Sequence, residues 1–247
     1  MTSRERAGPA DTIATRNVKL TVGTASYRAF LATPAAPPWK SAVVVVGDEV
    51  ALDDDMEHVA RRLAAQGHGA LAMGHGDTGV EGMAASQVTR WVDAGLARLR
   101  AESTVPAPRI GVVGYGRGGY VALVAAYASQ VGVAVSLYGA GPMRLRAELR
   151  RIIDQPKRHA APMLCLLGGE DATVRPEDLA VIHERLEGFG MRHTFIIYPR
   201  TRGHFGRAGS ADYRAPEAAD AWGRILHALE TAPRLRNRSP PRPSRPG

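Results

Sequence analysis

Residues Gly111–Leu123 read "GVVGYGRGGYVAL". A β-branched run stops at Gly114, a glycine-rich turn follows, and an apolar helical run begins with no intervening loop. A strand that passes straight into a helix through glycines admits three readings. The turn could cradle a dinucleotide phosphate, present one catalytic side chain, or be only a tight corner.

The flanking sequence repeats the same alternation. Upstream, "VKLTVGTASYRAFLATPA" (18–35) has two alternating runs around Gly23, Thr24 and Ala25, the pattern of a hairpin. "SAVVVVG" (41–47) and "HGALAMG" (68–74) are short apolar runs without alternation, as expected of strands buried on both faces. Between them "DDDMEHVARRLAAQG" (53–67) carries acids in its first turn and glycine at its end, the signature of a helix. The amphipathic "SQVTRWVDAGLARLRAE" (86–102) predicts a second helix. Downstream the expected order is strand 131–139, charged helix 144–155, strand 162–171, helix 175–190, strand 193–199 and helix 216–230. Alternating strands and helices imply a mostly parallel sheet covered on both faces, an α/β fold. One domain over residues 17–231 is expected, between a disordered start (1–16) and a disordered tail (232–247).

With 247 residues, 45% of them apolar, the chain can bury a full core. It has no run of 18 apolar residues, and "MTSRERAGPADTIATR" lacks the apolar stretch of a secretory signal. A single cysteine, Cys165, rules out an internal disulfide framework and suits a reducing cytoplasm; its apolar setting, "MLCLL", predicts an inert buried thiol. The formal charge of +8 suggests nucleic acid until it is located. Arg234, Arg236, Arg238, Arg242 and Arg245 all fall in the Pro- and Arg-rich last stretch, so the excess charge belongs to the tail. No specific nucleic-acid partner and no membrane are expected, only a small molecule, on a monomer or homodimer. The histidines show no metal-ligand spacing.

Gly114, Gly116 and Gly119 match the dinucleotide pattern G-x-G-x-x-G. That pattern needs an acid about 20 residues on to hold the ribose, and none occurs between Gly118 and Ala147. A nicotinamide or flavin is therefore not expected, nor any other cofactor. In the second template, the nucleophile elbow, Gly114 and Gly118 are the flanking glycines and the nucleophile position is Gly116, which has no side chain. Asp171 and His204 follow later strands, giving the order turn, Asp, His of a hydrolase triad. The same two residues could equally form a structural pair joining two loops.

These pieces together ("RIGVVGYGRGG", "LYGAG", "LLGGEDATVRPEDL", "YPRTRGHFGR" and "AADAWGRILHAL") resemble the dienelactone hydrolase family. The resemblance implies an α/β-hydrolase fold and action on lactones or esters, with cysteine usual at the position of Gly116. It implies a catalytic base at His204 oriented by Asp171. Backbone N–H groups of Arg117 and near Glu49 would form an oxyanion hole, and Asp48 or Glu49 would stand at the family's acidic position after the first parallel strand. The family usually has Pro-Asp where this chain has "AMGHGD", which brings His75 and Asp77 to the expected site edge. Arg207 would bind a substrate carboxylate. From its place at a strand end Tyr138 is expected either to pack or to line a pocket. Without a nucleophile at residue 116, two readings stand. One is an enzyme using a His204–Asp171 general-base dyad for hydrolysis, cyclisation or isomerisation. The other is a non-catalytic protein that binds a small molecule in the retained pocket.

Overall fold

The computed structural model describes residues 13–49, 51–75, 83–103, 105–139, 161–188 and 190–236. Its strands are β1 (Ile13–Val22), β2 (Ala25–Pro34), β3 (Ser41–Val46), β4 (His68–Met73), β5 (Ile110–Tyr115), β6 (Val133–Leu137), β7 (Met163–Gly168) and β8 (His193–Tyr198). The helices are α1 (Asp54–Ala65), α2 (Ala85–Glu102), α3 (Gly118–Ala128), α4 (Pro176–Gly188) and α5 (Ala215–Arg236). All eight strands form one sheet in the order β1-β2-β4-β3-β5-β6-β7-β8. From β4 to β8 every neighbouring pair is parallel, and the β1–β2 hairpin adds the antiparallel edge through β2 and β4.

The valine runs alternate between two cores. Val44 and Val46 of β3 face the layer formed by α2, α3 and α4, while Val43 and Val45 face α1 and α5. Each strand buries both faces, so its sequence shows no polar alternation. The helix α3 is buried nearly all round, because it packs on the sheet centre and is covered in turn by α2. Asp53 caps α1 by accepting from the Met56 N–H at 2.8 Å, as its acidic start suggests.

Two boundaries differ from expectation. β1 begins at Ile13 and pairs with β2 along its whole length, so residues 13–16 belong to the sheet. Pairing with Leu31–Pro34 satisfies a backbone whose side chains alone are too polar to announce a strand. α5 continues through Arg236 and buries Ala232, so the first part of the expected tail is the end of a packed helix. The charged stretch 144–155 lies outside the described residues. No helix among them is long and apolar enough to cross a membrane.

At the amino edge of the sheet His68 is wholly buried, its Nδ1 2.7 Å from Ser41 Oγ. Burial, then the nearby Lys40 charge, holds it down at about 4, against 6.5 for a free imidazole. Because folding depresses this group, its contribution to stability is complete above pH 6.5. It is lost as pH falls toward about 4, where the unfolded chain takes up the proton first. The melting temperature should therefore drop over that interval, and His68→Gln should flatten the drop. An unchanged pH profile in the variant would show that His68 is already charged in the fold.

Candidate active site

Close backbone packing builds the corner at the carboxyl end of β5. A side chain on Gly114 would collide with the Gly118 carbonyl, and one on Gly118 with the carbonyl of Val46 in β3. These glycines bring the ends of β3 and β5 and the start of α3 into contact, as the elbow template requires. Between them Gly116 has φ +54°, the left-handed conformation that glycine adopts without penalty. Its N–H donates to Leu137 O at 2.9 Å, tying the corner to the end of β6.

The space beside Gly116 is filled. An ideal Cβ built there would lie 2.5 Å from Asp48 Cγ and 2.6 Å from its Oδ1. Asp48 follows β3 and turns its carboxylate into the corner. Oδ1 accepts from the Arg117 backbone N–H at 2.8 Å and from Arg117 Nε at 3.0 Å, while Oδ2 lies 3.4 Å from His204 Nε2. Partial burial pushes this carboxyl up, but the Arg117 N–H, the guanidinium and His204 outweigh burial and hold it below its ordinary value. Asp48 is thus an anion seated where an elbow nucleophile would project.

His204 lies in the turn after β8 with φ +58°, and Arg207 N–H closes the turn onto its carbonyl at 2.9 Å. Left-handed backbone in a histidine costs energy, and the closed turn holds it in place. The expected bond to Asp171 is not made: Asp171 forms no hydrogen bond or ion pair with His204. Its Oδ1 accepts instead from the N–H and hydroxyl of Thr173, at 2.9 and 2.7 Å, which folds the carboxylate into its own loop. Its Oδ2 still faces Gly203, the residue before His204. The carboxylate that pairs with His204 is Asp48.

Other expected residues fall into place or are corrected. The Arg117 N–H points into the corner but is taken by Asp48, so it is not an open oxyanion donor. Glu49 is exposed and does not line the cavity. Arg207 does line it, with Nε 2.6 Å from Asp55 Oδ2, so an acid at the start of α1 already engages the guanidinium. His75 is buried, edge-on to the Trp91 ring at 5.6 Å, and burial followed by the Arg117 charge holds it at about 4, a neutral packing residue outside the cavity. Asp77 lies outside the described residues. Cys165 is buried in β7 and burial pushes its thiol up to about 12, so it is inert as expected. No group of three or more metal-ligating side chains gathers among the described residues.

Beneath Gly116 and His204 opens a cavity of about 210 Å³ between α1 and α5. Met56, Val59, Leu137, Trp222 and Ile225 supply apolar wall, and Ala215, Ala218, Ala219 and Ala221 form a small-residue side on α5. Tyr115 and Tyr138, at the ends of β5 and β6, close its floor. Tyr138 also has left-handed backbone (φ +55°); its buried hydroxyl lies beside the Gly206 backbone without a well-formed hydrogen bond. Burial, with the neighbouring Tyr115, raises its phenol far above the ordinary range, so it remains a neutral donor. Nothing local in the sequence announced Asp48 as the partner of both Gly116 and His204, since the three are joined only by the sheet order.

An eight-stranded, mostly parallel sheet with an elbow after β5 and a histidine after β8 defines an α/β-hydrolase. The chain belongs to the dienelactone hydrolase family, whose pattern it matches over residues 77–232. It is 22% identical over 222 residues to a Synechocystis protein named "Putative carboxymethylenebutenolidase", covering 82% of this chain and 90% of that one. It is 29% identical over 150 residues to a Bradyrhizobium protein named "Probable 2-oxo-3-(5-oxofuran-2-ylidene)propanoate lactonase", covering 60% of each. Among solved structures it resembles a dienelactone hydrolase-like promiscuous phosphotriesterase from metagenomic libraries, with TM-score 0.75 and 20% identity, covering 90% of this chain and 99% of that one.

Adding a side chain at the corner tests the geometry. Gly116→Cys should lose about 1–3 kcal/mol in urea unfolding from the left-handed backbone alone, with a further loss from the collision with Asp48. Asp48→Ala in the same chain should recover only the second part. A Gly116→Cys protein as stable as the parent would show that residue 116 is not at an elbow.

Proposed function

We propose that the protein hydrolyses a small lactone or ester, with His204 as general base and no covalent intermediate at residue 116. The carrying observation is the convergence of His204 Nε2, the Gly116 corner and the Arg117 N–H around Asp48 at one wall of the cavity. A substrate carbonyl binds by displacing Asp48 Oδ1 from the Arg117 N–H, which then stabilises the oxyanion. His204 takes the proton of the attacking water, and the displaced Asp48 carboxylate supports the resulting imidazolium. Membership of the dienelactone hydrolase family is consistent with lactone or ester hydrolysis. The carboxymethylenebutenolidase and lactonase names of the sequence relatives support this substrate class.

One observation favours the second reading, a non-catalytic binding protein: the donor a substrate carbonyl would need is already satisfied within the chain. Assays with p-nitrophenyl acetate and dihydrocoumarin separate the two. For the enzyme, His204→Ala should lower kcat/KM by about 10²–10⁴, the usual worth of a general base. Asp171→Asn should cost less than about tenfold, because its carboxylate is committed to Thr173 and any effect on His204 passes through the loop. Hydrolysis that survives His204→Ala would remove the base assignment. Binding without turnover, unaffected by His204→Ala, would establish the second reading.

A further inference from the structure

The carboxylate in the corner has the surroundings of a nucleophile, and the disposition of donors around it selects the kind of carbon it can attack. Asp48 Oδ1 accepts from the backbone N–H and the Nε–H of Arg117, while among the described residues Oδ2 meets His204 Nε2, at 3.4 Å. The side chain is 26% exposed and borders the cavity. When Asp48 itself attacks and Oδ1 keeps its Arg117 contacts, the N–H that the proposed ester hydrolysis hands to the substrate's carbonyl oxygen is not released. Attack at a saturated carbon places no charge on a substrate oxygen, and the charge departs with the leaving group. The donors then serve the second half of such a reaction. Once Oδ2 carries an alkyl group, Oδ1 is the carbonyl oxygen of an Asp48 ester, already held by the two N–H groups that stabilise its tetrahedral oxyanion.

We infer that Asp48 is a covalent nucleophile for displacement at saturated carbon, and that the protein hydrolyses small alkyl halides, an activity beyond ester or lactone hydrolysis. In the first step Oδ2 forms a bond to the carbon bearing the halogen, and the carbon–halogen bond breaks with its electron pair leaving as halide. In the second step water adds to Cγ as His204 Nε2 takes its proton. The Cγ–Oδ2 bond then breaks, and the alcohol leaves with the proton that His204 returns. Asp48 is regenerated with one oxygen from water, and the sum is alkyl halide plus water giving alcohol plus hydrogen halide. The apolar wall of Met56, Val59, Trp222 and Ile225 suits a short hydrocarbon chain.

The test uses the full chain with 1-bromobutane. Bromide should be released, and a single turnover in water enriched in heavy oxygen should place the label in the peptide containing Asp48, with unlabelled oxygen in the butanol. His204→Ala should release about one equivalent of bromide per chain and then stop, its intact mass increased by one butyl group. Asp48→Asn, checked for a melting transition like the parent's, should release none above background. Label appearing in the butanol alone, bromide release undiminished in Asp48→Asn, or no release by the unaltered protein would each overturn the proposal. Bromide release reports a different bond from the ester and lactone assays, so either activity can fail while the other stands.

Discussion

Three stretches of backbone meet at Gly114 and Gly118 with no room for a side chain between them, and the candidate site depends on that contact. The approach of α3 to the ends of β3 and β5 sets where Asp48 emerges, where the Arg117 N–H points and how Gly116 is turned. Asp48 lies 69 residues before Arg117 in the chain. Parallel pairing of β3 with β5 and of β5 with β6 fixes their relative heights, and the elbow converts that register into a shared corner. A larger residue at either glycine would separate the carboxylate from its donors before it touched the cavity.

The filled corner gives the glycine at residue 116 a physical meaning. A Cβ at residue 116 and the carboxylate of Asp48 cannot share the same volume, so the glycine and the aspartate are two halves of one arrangement. The charge is acceptable there because two N–H donors and an imidazole face it, offsetting part of the cost of removing it from water. The strained backbone at His204 and Tyr138 belongs to the same neighbourhood, with their rings 5.6 Å apart.

The fold was legible because its signals are local. Valine runs without alternation mark β3 and β5, the acid-led start marks α1, and the strand–glycine–helix junction marks the elbow. The start of β1 was not, since Ala14–Asn17 are exposed and acquire strand structure from the partner they pair with. The site was legible only in part. The glycine pattern and the chain order located Gly116 and His204, but the partner of His204 depended on side-chain direction. Asp171 is held by Thr173 two residues on, while Asp48 reaches across from another strand, and spacing along a chain carries neither fact. The family resemblance brought His75 to the site edge, yet it is buried against Trp91 in the core.

The alanines that α5 turns toward the cavity separate two properties that many enzymes must adjust together. Every reacting group proposed above sits on strand ends or the loops that follow them, whereas Ala218, Ala219 and Ala221 belong to a surface helix that contributes only wall. Each added methyl group there shortens the accessible depth without moving the corner. The cavity's size is therefore set on one helix and its charge arrangement on the sheet, so the one can change without disturbing the other.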